Sequence, residues 1–162
     1  LIENTNSFQH LQRISKGAGK WLSLHRYNST RNNTAECVRD LRSKGYRIAV
    51  THLHGNSIPL AELDLSQKTA LVMGTELSGA SEYMVEQADV LVHIPMQGFT
   101  ESLNVSAATS IALQHLTTNL RSSSVDWQLS EQEKLALKLE WARHSIHWWK
   151  HIEAEWQNKK HV

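Results

Sequence analysis

The sequence predicts an α/β fold, with a mostly parallel sheet and helices on both faces, on three observations. Apolar runs of strand length, Arg47–Thr51, Thr69–Gly74 and Val90–Ile94, alternate with longer stretches of helical character, the pattern of βα units on a parallel sheet. Two of these runs end in glycine-bearing loops that lead straight into helix starts, at Gly74–Gly79 and Pro95–Asn104. With 40% hydrophobic and 20% charged residues, the 162-residue chain can bury a core of its own and shows no bias towards disorder.

Taken in order, strands are expected near residues 1–4, 20–25, 46–51, 69–74 and 89–94, and helices near 8–16, 33–45, 81–88 and 104–120. Asn33-Thr34 offers caps for the second helix and Gly45 closes it, while Ser57-Ile58-Pro59 to Asp64 makes a long connection before the next strand. Ser122-Ser123-Ser124 marks a break after the core. Leu129-Ser130-Glu131-Gln132-Glu133 then opens a helix with acidic residues in its first turn, expected to run to Lys160. The chain therefore divides into a core, 1–120, and a linker with a helical extension, 121–162.

Residues 94–106 are the most informative stretch. Val90, Val92 and Ile94 alternate as one face of a strand, Pro95 stops its ladder, and Gly98 permits a turn that a side chain would forbid. Ser102 and Asn104 then precede the small-residue run Val105–Ala112, where a helix begins with free backbone N–H groups. Thr69–Gly74 repeats the design: an apolar strand ends in Gly74-Thr75-Glu76-Leu77-Ser78-Gly79, a glycine-flanked loop with one carboxylate. Strand ends followed by glycine loops are where parallel sheets hold cofactors. Neither of the common nucleotide-binding glycine patterns occurs.

Leu71 to Gly79 resembles the second signature of the SPOUT RNA 2′-O-ribose methyltransferases, and Ile94-Pro95-Met96 through Ser102-Leu103-Asn104-Val105-Ser106 resembles the third. The likeness is greatest to the TrmH (SpoU) branch and extends from about Ile2 to about Leu120. It implies a trefoil knot at the carboxyl end of the core, S-adenosyl-L-methionine as cofactor, and methyl transfer to the ribose of guanosine 18 in the tRNA D-loop. It also implies an RNA partner and a homodimer. By this resemblance Thr51, Leu53, Gly74, Gly79, Ile94, Met96, Gly98 and Leu103 enclose the cofactor, with Thr51-His52-Leu53 as the first of three loops. Glu76, Ser102 and Asn104 border the reacting groups, the last two as hydrogen-bonding positioners. The family's first signature, an Asn followed by an Arg near the ribose hydroxyl, is expected upstream of Leu1, so the chain is read as part of a longer protein. Two other readings are a sister enzyme acting on rRNA or the tRNA anticodon loop, and a non-catalytic RNA- or cofactor-binding remnant.

The remaining features set bounds. Basic residues accumulate from Lys16 to Arg47 and acidic ones from Glu62 to Asp89, an uneven field that suits RNA phosphates beside a cofactor loop. No apolar run approaches the ~20 residues that span a membrane, and Glu3 follows Leu1-Ile2 at once, so a cytoplasmic protein is expected. The lone Cys37 excludes an internal disulfide and is expected to be buried on a helix. No metal site is expected, although His144, His147 and His151 share one face of the extension if it is one helix. Leu135, Leu139, Ala142, Ile146, Trp149, Ile152 and Trp156 would form an apolar stripe along that helix, suited to packing on the core or a second subunit.

Overall fold

The computed structural model describes residues 1–4, 18–100 and 102–160. They form two compact units, one made of residues 1–4 and 26–127, the other of 18–25 and 128–160. The helix expected near 8–16 lies outside the described residues.

The first unit is built on four parallel strands, β1 (Arg47–Thr51), β2 (Ile58–Pro59), β3 (Thr69–Val72) and β4 (Val90–His93), in the order β2-β4-β1-β3. The central strand β1 alternates its side chains between two apolar layers. Ile48 and Val50, both fully buried, join Val38 of α1 (Asn33–Ser43) and Met84 of α2 (Glu82–Glu86). Ala49 faces the other way and joins Val92, Leu60, Leu63 and Ala112, the last on α3 (Val105–Ser122). The period-two alternation of β1 thus decides which helices cover which face.

Local chemistry sets the helix ends. Asn32, not Asn33-Thr34, caps α1, accepting from the Ala35 N–H at 3.0 Å. Asn33 and Thr34 are buried and used elsewhere: the Asn33 amide donates to the Glu3 carbonyl at 2.8 Å, and the Thr34 hydroxyl accepts from Asn4 at 2.7 Å. Gly45 closes α1 as expected, at a φ of +78° that side chains resist. Cys37 is buried on α1, and burial pushes its thiol pKa up. Nearby, the Tyr27 hydroxyl donates to the Asp40 carboxylate, a bond that, with burial behind it, holds the phenol pKa above its ordinary value.

Three expected elements differ. The strand near 1–4 is reduced to one parallel bridge, Ile2 to Tyr27. The strand near 20–25 is absent: a 3-10 turn occupies Ala18–Trp21, and Trp21 packs edge-on against Trp141 at 5.4 Å in the second unit. The connection after Ser57 contains the edge strand β2, where Pro59 is tolerated because edge pairing needs fewer donors, and then a 3-10 turn, Leu60–Glu62, that buries Leu60.

The second unit carries α4 (Glu131–Ser145) and α5 (Trp149–Lys160). A reciprocal capping box starts α4: Ser130 Oγ accepts from the Glu133 N–H at 3.2 Å, and Glu133 accepts from the Ser130 N–H at 2.8 Å. The single helix expected to Lys160 is broken at Ile146, whose ψ of 119° leaves the helical region. Ile146, His147 and Trp148 are poor helix formers in succession. Arg143 pairs with Glu153 at 2.7 Å and lies over the Trp149 ring at 5.4 Å, contacts that join the helices across the break. The break divides the expected stripe and the expected histidine face, and Leu135, Leu139, Ile152 and Trp156 are exposed. No described helix is long and apolar enough to cross a membrane.

Candidate functional site

Because β1, β3 and β4 are parallel neighbours, their carboxyl ends open on the same side, and the loops that leave them wall a cleft of about 390 Å³. The first wall follows β1. The Thr51 hydroxyl donates to the Val72 carbonyl at 3.2 Å and accepts from the Gly74 N–H at 3.3 Å, tying the ends of β1 and β3 together. His52 N–H donates to the Val92 carbonyl at 2.9 Å and fixes the end of β4 to the same edge.

The second wall, residues 74–79, is a closed loop. Thr75 and Gly79 exchange backbone hydrogen bonds of 2.9 and 3.0 Å, and the Thr75 and Ser78 hydroxyls meet at 2.8 Å. A Cβ on Gly74 would sit 2.4 Å from the Gly79 carbonyl carbon and 2.5 Å from the Ala80 nitrogen. The loop's own backbone therefore demands glycine at position 74. Gly79 has a φ of +66°, so glycine serves there for conformation rather than space.

The third wall comes from 94–105. Gly98 turns the chain at a φ of +107°, and Asn104 starts α3 by accepting from Ser106 N–H at 2.9 Å and Ala107 N–H at 3.4 Å. The Asn104 amide also donates to Glu76 Oε1 at 2.8 Å, joining the second wall to the third.

Of the residues selected from sequence, Thr51, Leu53, Gly74, Glu76, Gly79, Ile94, Met96, Ser102 and Leu103 line the cleft. Gly98 and Asn104 are not among the lining residues: Gly98 turns the third loop at a positive φ, and Asn104 reaches the cleft through Glu76. His54 and His93, which no motif in the sequence singles out, line the cleft together with His52, expected only as part of the first loop. His93 Nδ1 meets Ser57 Oγ at 3.0 Å, and the His52 and His54 rings lie edge to face at 6.0 Å. Each stands at a strand end or just past one, and that position was the one signal that could have found them. Among the described residues, no three His, Cys, Asp or Glu side chains converge as a metal site.

Comparison with known proteins gives a consistent result. The pattern of the SpoU rRNA Methylase family matches residues 2–114. A protein of Borreliella burgdorferi named tRNA (guanosine(18)-2′-O)-methyltransferase is 37% identical over 153 residues, which cover 94% of this chain and 68% of that protein. The crystal structure of the Aquifex aeolicus TrmH/SpoU tRNA modifying enzyme superposes with a TM-score of 0.68 at 30% identity, over 89% of this chain and 72% of that one. The SpoU methyltransferase AviRb of Streptomyces viridochromogenes, solved in complex with the cofactor AdoMet, gives 0.58 at 27% identity, over 68% of this chain and 42% of that one. A family pattern spanning most of the chain, a shared parallel sheet and a cleft at its carboxyl edge agree: this chain belongs to the SpoU rRNA Methylase family.

Proposed function

We propose that the protein is an S-adenosylmethionine-dependent RNA 2′-O-methyltransferase acting on the ribose of guanosine 18 in tRNA. The observation that carries the reading is the cleft itself, walled by backbone loops at the ends of three parallel strands. Its chemistry fits the cofactor. The volume of about 390 Å³ lies in the range of small-molecule pockets. Val92, Ile94, Met96 and Leu103 supply apolar walls for an adenosyl group, and among the described lining residues Glu76 is the one carboxylate available to a positive sulfonium.

When bound, S-adenosylmethionine supplies an already activated methyl group. The work left to the chain is to orient the two partners and exclude water. Thr51, by tying β1 to β3, fixes the spacing of the first two walls, while Ile94 and Leu103 keep the third dry. Ser102 lines the cleft, where its hydroxyl would serve the ribose side as a hydrogen-bonding positioner.

The methyltransferase core is assigned to residues 1–120 and the extension 121–162 to partner contact, in a cytoplasmic homodimer. Exposed apolar residues on the extension, Leu135, Trp148 and Ile152 among them, support that assignment. The test is incubation of the full-length protein with methyl-labelled S-adenosylmethionine and two tRNA transcripts, one with an unmodified guanosine 18 and one carrying 2′-O-methyl there. Label in the first alone is expected. Equal labelling of both would overturn the choice of nucleotide, and no label in either would overturn the reaction.

A further inference from the structure

Asn104 makes three hydrogen bonds with one planar amide, and the first two dictate the third. Its Oδ1 accepts from Ser106 N–H at 2.9 Å and Ala107 N–H at 3.4 Å, the cap of α3. With the oxygen committed to those donors, the NH₂ must point the other way, and the amide orientation follows from the cap. It points at Glu76 Oε1, 2.8 Å away and 28 residues distant in sequence. Glu76 lines the cleft and belongs to the 74–79 loop, whose ends are pinned by the paired Thr75 and Gly79.

We infer that Asn104 is a positioning residue: it is not among the residues lining the cleft, and it acts by holding the Glu76 carboxylate and its loop at a set distance from the start of α3. This deepens the reading of the cleft as the S-adenosylmethionine site and rests on it. Both residues are exposed, so an ion–dipole bond between loose side chains would count for little here. A donor held rigidly by a helix cap loses less entropy on bonding, and charge-assisted bonds are the stronger class. The mouth of the cleft is set by a series of contacts running from Ser106 N–H through Asn104 to Glu76.

The test exchanges donor and acceptor. Asn104→Asp keeps the cap, because aspartate caps as well as asparagine, but sets one carboxylate against another. Glu76→Gln keeps the tie, since its amide oxygen still accepts from Asn104. The double variant Glu76→Gln/Asn104→Asp rebuilds the tie in reverse, the amide introduced at position 76 donating to the carboxylate introduced at position 104. Two readouts are taken on the full chain: amide hydrogen exchange of residues 75–79, which needs no ligand, and calorimetric binding of S-adenosylmethionine. Asn104→Asp is expected to speed exchange and weaken binding, each about tenfold. The double variant is expected to match Glu76→Gln in both.

A double variant as fast in exchange as Asn104→Asp would overturn the inference, as would an Asn104→Asp protein with unchanged exchange in the loop. Failure of the parent protein to bind S-adenosylmethionine would strike the functional reading alone, because the exchange measurement still decides the tie.

Discussion

Replacing Gly74 with alanine tests whether the second wall of the cleft depends on its own backbone packing. The added Cβ would meet the Gly79 carbonyl carbon at 2.4 Å, the Ala80 nitrogen at 2.5 Å and the Gly79 Cα at 2.8 Å. Carbon atoms in contact prefer about 3.5–4.0 Å, so the overlap is roughly 1 Å against main chain that no side-chain rotation can relieve. Relief requires opening the Thr75–Gly79 pair, with its two bonds of 2.9 and 3.0 Å, at about 1 kcal/mol per bond. Overpacking of this kind costs ~1–3 kcal/mol in general, and the rigid opponent places Gly74→Ala in the upper half of that range. The control is Gly45→Ala at the end of α1, where φ is +78° but nothing lies within 4 Å. Only the left-handed conformation opposes it, at about 1–2 kcal/mol.

Urea unfolding of both variants, with calorimetric titration of S-adenosylmethionine, separates the two effects. Gly74→Ala should lower both stability and cofactor affinity, whereas Gly45→Ala should lower stability alone. If Gly74→Ala binds S-adenosylmethionine like the parent and unfolds no more easily than Gly45→Ala, the packing argument for the loop is wrong.

Two further outcomes are expected in the core of the first unit. Met84 is 3% exposed and packs with Val38, Ile48 and Val50, so Met84→Ala should cost ~2–5 kcal/mol, read as a lowered urea midpoint. Tyr27 and Cys37 both have pKa values raised in the fold, Tyr27 chiefly by its bond to Asp40 and Cys37 by burial. The folded state therefore keeps protons that the unfolded chain releases. The stability this confers is complete below the ordinary values of 9.0 for the thiol and 10.0 for the phenol, and is lost as pH rises beyond them. Midpoints measured from pH 8 to 11 should fall, and Tyr27→Phe should flatten the part above pH 10 while lowering stability at pH 7 by about 1 kcal/mol.

What could be read in advance, and what could not, follows from the range of the forces involved. Arg47–Thr51 and Val90–His93 were legible because strand burial leaves a run of apolar residues bounded by turn chemistry. Ile58–Pro59 was not, since two residues carry no periodicity and proline argues against a strand unless its edge position is known. A strand is expected near 20–25, but Trp21 there packs on Trp141, a contact that local pattern cannot announce. The break at Ile146 was hidden for a related reason: apolar spacing continues through it, while the Arg143–Glu153 pair that accompanies it spans two helices.

The site divides along the same line. Gly79 and Gly98 were legible as turns because positive φ selects glycine, and Asn104 as a cap because the residue before a helix must supply an acceptor. Each loop could therefore be found alone. Their convergence could not be found in this way, because β1 precedes β3 and β4 in sequence while the sheet places β1 between the other two. Register completes the arrangement: Val50 pairs with Val72 and Thr51 with Val92, so the three strands end within two residues of one another. Strand ends this close in register allow the Thr51 hydroxyl to reach both Val72 and Gly74, and the third loop to return close enough for Asn104 to meet Glu76. The hydrogen bonds that join the walls of the cleft are consequences of strand order, a property no single loop contains.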